Sequence, residues 1–220
     1  MSPERAAFVR ANTVLEAPPL VPEIRLHLAS EITPLWQATE AVLERSNLPP
    51  PYWAFAWAGG QALARHLLDH PALVAAKRVL DIGAGSGLVA IAAALAGATA
   101  VTAAEIDAYA AAAIALNAAV NGVVVAVETA DVIGAAPAWD VVLVGDMCYE
   151  RPLAERLTAW LERCAEAGAL VLLGDPGRTY LPRAGLTSVA RYTVPTPLDL
   201  EDRTNRDTDV WRLTGAGPVR

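Results

Sequence analysis

Cysteine is almost missing from this sequence of 220 residues, with Cys148 and Cys164 the only two. Two cannot build a disulfide framework or a structural zinc site. Histidine is nearly as scarce: His27, His66 and His70. His66 and His70 stand at helical i,i+4 spacing, but Leu67 occupies the place where a zinc-protease motif needs glutamate. That pair is therefore expected on an exposed helix face, and no metal is expected. An excess of positive charge is lacking too. Lys and Arg number 17 against 24 Asp and Glu, and the resulting formal charge of −7 argues against a dedicated DNA or RNA binder. Met1 to Glu16 has no apolar signal-peptide core. The apolar run Leu88 to Ala104 is broken by Gly97 and Thr99, so no membrane span is expected and a cytoplasmic protein is.

What is present is globular. Hydrophobic residues, many of them alanine, make up 54% of the chain and charged ones 19%. A chain of this length buries about 70% of its unfolded surface, enough for one full core. The periodicity predicts a helix over Pro3 to Glu16 and a second over Pro34 to Arg45, ahead of Leu48-Pro49-Pro50-Pro51. Trp53, Phe55 and Trp57 alternate as a strand would. A helix then runs from Gly59 to Asp69, stopped by His70-Pro71.

From Arg78 onward strands alternate with helices. Strands are expected at Arg78–Ile82, Ala100–Glu105, Val123–Val127, Asp140–Val144 and Ala169–Leu173, with helices at Ser86–Leu95, Ala108–Asn121 and Pro152–Ala167 between them. That order implies a parallel sheet with right-handed crossovers. Thr187–Val194 and Asp209–Leu213 lack a helix between them and predict an antiparallel hairpin at the sheet edge. The expected fold is α/β: a Rossmann-like, mostly parallel seven-stranded sheet with helices on both faces. Residues 1–58 form an N-terminal helical extension and cofactor-lid segment, and 59–220 the main domain.

In such sheets ligands bind beyond the carboxyl ends of the strands. The first strand ends in Asp81-Ile82-Gly83-Ala84-Gly85-Ser86-Gly87, so the glycines fall as G-x-G-x-G. A dinucleotide fingerprint would carry a third glycine where Leu88 stands. A carboxylate at Asp81 suits a ligand bearing an ammonium group, such as the methionine part of S-adenosylmethionine, better than it suits a diphosphate. Glu105, about 20 residues past Gly85, is placed to accept from ribose hydroxyls. Asp131, beside Val132, is placed to accept from an adenine amino group.

Three stretches carry a family resemblance: Pro51-Tyr52-Trp53-Ala54-Phe55-Ala56-Trp57-Ala58-Gly59-Gly60-Gln61, the glycine loop, and Trp139 through Gly145-Asp146-Met147-Cys148-Tyr149-Glu150. Gly174-Asp175-Pro176-Gly177-Arg178 and Val210-Trp211-Arg212-Leu213 add to it. The chain resembles the seven-β-strand protein lysine methyltransferases, most closely the electron-transfer flavoprotein β-subunit lysine methyltransferase group. The resemblance implies an S-adenosylmethionine cofactor, with S-adenosylhomocysteine as product. It implies Asp146 and Tyr149 as catalytic residues, the acid-x-x-aromatic pair after the fourth strand. Trp57, Asp81, Gly83, Ala84, Gly85, Glu105, Ile106, Asp131, Val132 and Asp146 form the cofactor set, and Tyr149, Glu150 and Arg178 the substrate side.

The implied partner is a protein, the electron-transfer flavoprotein β-subunit or the ribosomal stalk protein, met by a monomer. The lack of an evident targeting extension suggests a bacterial member. Three alternatives stand beside this: a small-molecule N-methyltransferase, a nicotinamide-dependent oxidoreductase, and a silent binding module. Cys148 has no histidine near it in sequence and reads as a buried spectator.

Overall fold

A computed structural model describes residues 2–30, 33–37, 50–196 and 204–214. Its centre is a seven-stranded sheet in the order β5-β4-β3-β6-β7-β9-β8. The parallel strands are β3 (Arg78–Ile82), β4 (Ala100–Ala104), β5 (Ala126–Glu128), β6 (Val141–Gly145) and β7 (Leu170–Asp175). The hairpin β8 (Leu186–Pro195) and β9 (Asn205–Leu213) adds two antiparallel strands, β9 lying against β7. The strand order reverses between β3 and β6, whose carboxyl ends therefore flank a crevice.

Helices cover both faces, and strand parity decides which residues meet which layer. Val79 packs with Leu63 and Leu67 of helix α3 (Ala58–Asp69) and Ala90 and Ala93 of α4 (Leu88–Leu95). Leu80 and Ile82 turn the other way, to Leu157, Trp160 and Leu161 of α6 (Arg151–Glu166). The apolar positions of α6 recur at helical spacing on one side only, as an amphipathic cover needs. Helix α5 (Ala108–Val120) adds Ile114 to the first layer and packs Ala110 and Ala113 against Ala6 and Val9 of α1 (Pro3–Ala11).

Several expectations shift. The first helix stops at Ala11, because the Thr13 hydroxyl takes the Val9 carbonyl at 2.6 Å and the chain turns into a short strand. This strand, β1 (Val14–Glu16), pairs with β2 (Leu26–Leu28) in a hairpin that the sequence reading did not anticipate. Its anchors lie far along the chain: Asn117 Oδ1 accepts the His27 N–H at 2.8 Å, and Asn121 Oδ1 accepts the Arg25 N–H at 2.9 Å. Of the helix expected over Pro34 to Arg45, the part Pro34–Gln37 (α2) is observed and the rest lies outside the described residues. The tryptophan-rich segment makes a 3-10 turn at Tyr52–Ala54 in place of a strand. Strand β5 begins at Ala126 and not at Val123, whose N–H instead closes the end of α5 on the Ala118 carbonyl.

His66 is buried, not exposed, since the inner face of α3 lies over the sheet. Its Nδ1 meets the Tyr192 hydroxyl at 3.2 Å, its ring lies 4.4 Å from that of His70, and burial lowers its pKa. Among the described residues no cluster of three metal-ligating side chains occurs, and no helix is long and apolar enough to cross a membrane.

Candidate functional site

A cavity of about 520 Å³ opens at the carboxyl ends of β3, β4 and β6. Its size falls within the range of pockets that hold cofactor-sized ligands. Gly83 and Gly85 form its floor at φ +63° and +52°, in the left-handed region that glycine tolerates. A methyl group on Gly83 would stand 2.1 Å from Met147 Sδ, so the Met147 side chain would have to move, and the left-handed backbone is the stronger reason for glycine here.

Glu105 closes the next side. One carboxylate oxygen accepts the Gly85 N–H at 3.0 Å and the other the Asp107 N–H at 3.0 Å, tying the end of β4 to the glycine loop. Burial raises its pKa, against the opposing pull of these bonds. Ile106, 73% exposed, forms part of the rim, while Val132 is buried beside it. Asp131 accepts the Ile133 N–H at 3.0 Å and pairs with Arg156 of α6, which lowers its pKa. This half of the cavity thus offers two carboxylates, a glycine cradle and apolar walls. That donor set fits an adenosyl group with its hydroxyls and amino group, as the sequence implied for S-adenosylmethionine.

Asp146, one residue past β6, occupies the opposite half at φ +57°. Its Oδ2 accepts the Gly60 N–H at 2.9 Å. Its Oδ1 accepts Arg178 Nε at 3.0 Å and Nη2 at 2.6 Å. Gly60 lies in the first turn of α3, whose free N–H groups favour an anion. That first turn reaches the sheet because Gly59 meets Gly174: a methyl on Gly59 would lie 2.1 Å from the Gly174 carbonyl oxygen and 2.5 Å from Asp146 Oδ2. Arg178 lies 5.5 Å over the Trp57 ring, within cation–π range. Its loop is held by Asp175, whose Oδ1 accepts the Gly177 and Arg178 N–H groups at 2.7 and 2.6 Å. Burial pushes Asp175 up to about 6.

An aromatic arc borders the mouth above Asp146. The Tyr149 ring lies 5.9 Å from that of Tyr52, and Tyr52 lies 6.1 Å from Trp57. Tyr149 is 47% and Tyr52 51% exposed.

Of the expected residues, the structure gathers Trp57, Gly83, Gly85, Glu105, Ile106, Asp131, Val132, Asp146, Tyr149 and Arg178 around one cavity. Three stand elsewhere. Asp81 is 1% exposed and faces α4, where its Oδ2 accepts the Ala90 N–H at 2.9 Å, so it caps a helix and does not line the cavity. Ala84 contributes a backbone N–H to the Ala104 carbonyl behind the loop. Glu150 is exposed just ahead of α6 and does not line the cavity. Cys148 is buried and its thiol pushed up to about 12 by burial and by Asp175, which makes it a spectator. The sequence reading overlooked Tyr52, Met147 and Arg156. Arg156 joins the cavity beside Leu153 and through its ion pair with Asp131, neither of which a local pattern marks.

Comparison with known proteins places this geometry. A family model described as ribosomal protein L11 methyltransferase (PrmA) matches residues 62–148, which hold the glycine loop and Asp146. The electron transfer flavoprotein beta subunit lysine methyltransferase of Danio rerio is 38% identical over 213 residues, covering 93% of this chain and 81% of the relative. The protein of the same name from Mus musculus is also 38% identical, covering 96% of this chain and 85% of its own. Among solved structures, the ribosomal protein L11 methylase of Lactobacillus delbrueckii subsp. bulgaricus superposes with a TM-score of 0.54 at 20% identity. The match covers 74% of this chain and 81% of that one, a likeness of fold.

Proposed function

Because the chain belongs to the electron transfer flavoprotein beta subunit lysine methyltransferase family, we propose that it methylates lysine side chains of an electron-transfer flavoprotein β-subunit. It is an S-adenosylmethionine-dependent methyltransferase. The observation that carries the acceptor assignment is the meeting of Asp146, Arg178 and the aromatic arc at one end of a cavity whose other end is the glycine cradle.

When bound, S-adenosylmethionine supplies a methyl group on a sulfonium, open to an amine nucleophile. A lysine ammonium with a pKa of about 10.4 must first lose its proton. Asp146, at the cavity end bordered by the tyrosines, is the group we assign to orient the amine and to accept or relay that proton. Gly60 and Arg178 fix its two oxygens, so the carboxylate needs no reorganisation as the amine arrives. Tyr149 walls the approach, and its ring face suits both the aliphatic stem and the cation formed. Glu105 and Asp131 are assigned to the sugar and adenine ends, with Gly83, Gly85, Ile106 and Val132 closing around them. Arg178 serves as the strut that holds Asp146 in place, more than as a grip on the substrate. Most of the rate then comes from alignment and exclusion of water.

The relatives reported above are animal proteins, so they lend nothing to a bacterial origin. The ribosomal stalk protein stays as a second acceptor to be tried. The L11 methyltransferase model spans residues 62–148, so it takes in the glycine loop and Asp146 and leaves out Tyr52, Tyr149 and Arg178. Intact-mass measurement decides between acceptors: purified protein and S-adenosylmethionine are incubated with the flavoprotein and, separately, with the stalk protein. Mass increments of one methyl group, mapped to lysine of the flavoprotein, are expected. Increments on the stalk protein alone would reassign the substrate, and none on either would move the acceptor to another protein or a small amine.

A further inference from the structure

Tyr52 belongs to neither the glycine loop nor the acid-x-x-aromatic pair, yet it lines the cavity between Trp57 and Tyr149. Its ring is the middle one of the arc, 5.9 Å from Tyr149 at 51° and 6.1 Å from Trp57 at 64°. Its backbone is fixed on three sides. The Tyr52 N–H donates to the Pro50 carbonyl at 2.8 Å, and its own carbonyl accepts Trp57 Nε1–H at 2.8 Å and the Phe55 N–H at 3.4 Å. A rigid turn thus presents a half-exposed aromatic ring. Burial for stability does not account for it, because the neighbouring Trp53 is 2% exposed and already fills the core beneath. Tyr52, Tyr149 and Ile106 are three of the large apolar side chains exposed among the described residues, and all three border this one cavity.

We infer that Tyr52 is a specificity-determining residue of the acceptor side, a ring against which an unbranched alkylammonium side chain lies on its way to Asp146. The inference rests on the lysine methyltransferase reading above. Three features support that chemistry. Rings at contact distance in tilted geometry make a continuous apolar face for a methylene stem. Ring faces also attract an ammonium head. Trp57 joins the arc to Arg178, and Arg178 joins it to Asp146, so a chain following the arc ends at the carboxylate.

The test uses Tyr52→Ala and Tyr52→Phe in the full-length protein. With the flavoprotein as acceptor, Tyr52→Ala is expected to raise KM about tenfold, the scale of one lost ring contact, with kcat changed less than about threefold. Tyr52→Phe, which keeps the ring, should return KM to within about twofold of wild type. S-Adenosylhomocysteine affinity, measured by calorimetry, should stay within about twofold in both. If Tyr52→Ala weakens S-adenosylhomocysteine as much as the acceptor, the residue is a wall of the cofactor site and the inference fails. A second readout needs no protein acceptor: n-butylammonium, the lysine stem alone, is titrated into the S-adenosylhomocysteine complex by saturation-transfer NMR. Saturable binding is expected in wild type and in Tyr52→Phe, weakened about fivefold or more in Tyr52→Ala. Equal binding in Tyr52→Ala, or no saturable binding in wild type, overturns the inference. Absence of transfer to the flavoprotein by the wild type would instead strike the acceptor assignment, with the titration still deciding on Tyr52.

Discussion

Two aspartates end neighbouring strands of the sheet and do the same structural task, yet one is sealed away and the other lines the cavity. Asp81 near the end of β3 accepts the Ala90 N–H, the third amide of α4, at 2.9 Å. Asp146 after β6 accepts the Gly60 N–H, the third amide of α3, also at 2.9 Å. Both helices lack a side-chain cap of their own, Gly87 preceding one and Trp57 the other, and each takes its cap from a distant strand end. The difference lies in what else each carboxylate meets. Asp81 is 1% exposed, and among the described residues no cation offsets that burial, so it is pushed up to about 8. Asp146 sits in the left-handed region at φ +57°, which swings its side chain to the crevice, where Arg178 takes its other oxygen. A cap comes to line a cavity when the backbone turns it outward, and here a cation meets it there.

Removing the charge of Asp146 tests that contrast hardest. Asparagine tolerates the left-handed backbone and can still accept the Gly60 N–H, so Asp146→Asn should fold. Methyl transfer is expected to fall about 100-fold or more, the scale for a lost acid–base group, with S-adenosylhomocysteine affinity within about fivefold. Turnover near wild type would remove Asp146 from the reaction and leave it a cap like Asp81. The next test concerns the second residue of each helix. In α4 it is Val89, a side chain with room; in α3 it is Gly59, where a methyl would meet Gly174 backbone and Asp146 Oδ2. Gly59→Ala should therefore destabilise by about 1–3 kcal/mol, typical of overpacking against backbone. A melting curve matching wild type would show that α3 can lift off Asp146 without loss.

Strand parity explains how far this contrast was legible. Arg78–Ile82 is both the expected and the observed strand, and Val79 and Asp81 share its face. That face packs on α4, as Val79 does with Ala90, so the period of two already directs Asp81 toward the helix layer and away from a ligand. Motif spacing alone points it at the cofactor. The seven strands and the edge hairpin were legible because apolar runs and breakers mark them locally. The β1–β2 hairpin was not, since strands of three residues held by Asn117 and Asn121 have no local signature. Arg156 and Tyr52 were missed for the same reason: each joins the cavity through a partner in another element, Asp131 for one and Tyr149 for the other. Asp146, Tyr149 and Arg178 came from resemblance, not from pattern.

Arg178 separates the two aspartates most directly, so its substitution sharpens the comparison further. Arg178→Lys keeps a charge but loses the fork that bonds Oδ1 through both Nε and Nη2, and the stack over Trp57. We expect kcat to fall about tenfold, in line with a loosened positioning contact, with acceptor KM changed by less than about threefold. A change confined to KM would make Arg178 a grip on the substrate.

The smallest effect on turnover is expected at Asp81, and its test is read from pH, not from activity. Burial pushes its carboxyl up to about 8 in the folded chain from the ordinary 3.8, so between those values the native state holds a proton that the unfolded state has released. Stability from this group is present at low pH and is lost as pH rises through that window. Asp81→Asn keeps an oxygen for the Ala90 N–H and has nothing to ionise. Asp175 is raised in the same direction but is common to both proteins, and Glu105, whose charge adds to the push on Asp81, acts in the same sense. The variant's melting temperature without cofactor should therefore match wild type at low pH. It should exceed wild type progressively as pH rises toward 8.5, by about 5 °C or more, since a carboxyl raised from 3.8 to about 8 loses several kcal/mol over that range and about 1 kcal/mol moves the melting temperature of a chain this size by 2–4 °C. Parallel curves at every pH would mean that Asp81 ionises like an exposed aspartate, and the line between a sealed cap and an open one would then have to be drawn by Arg178 alone.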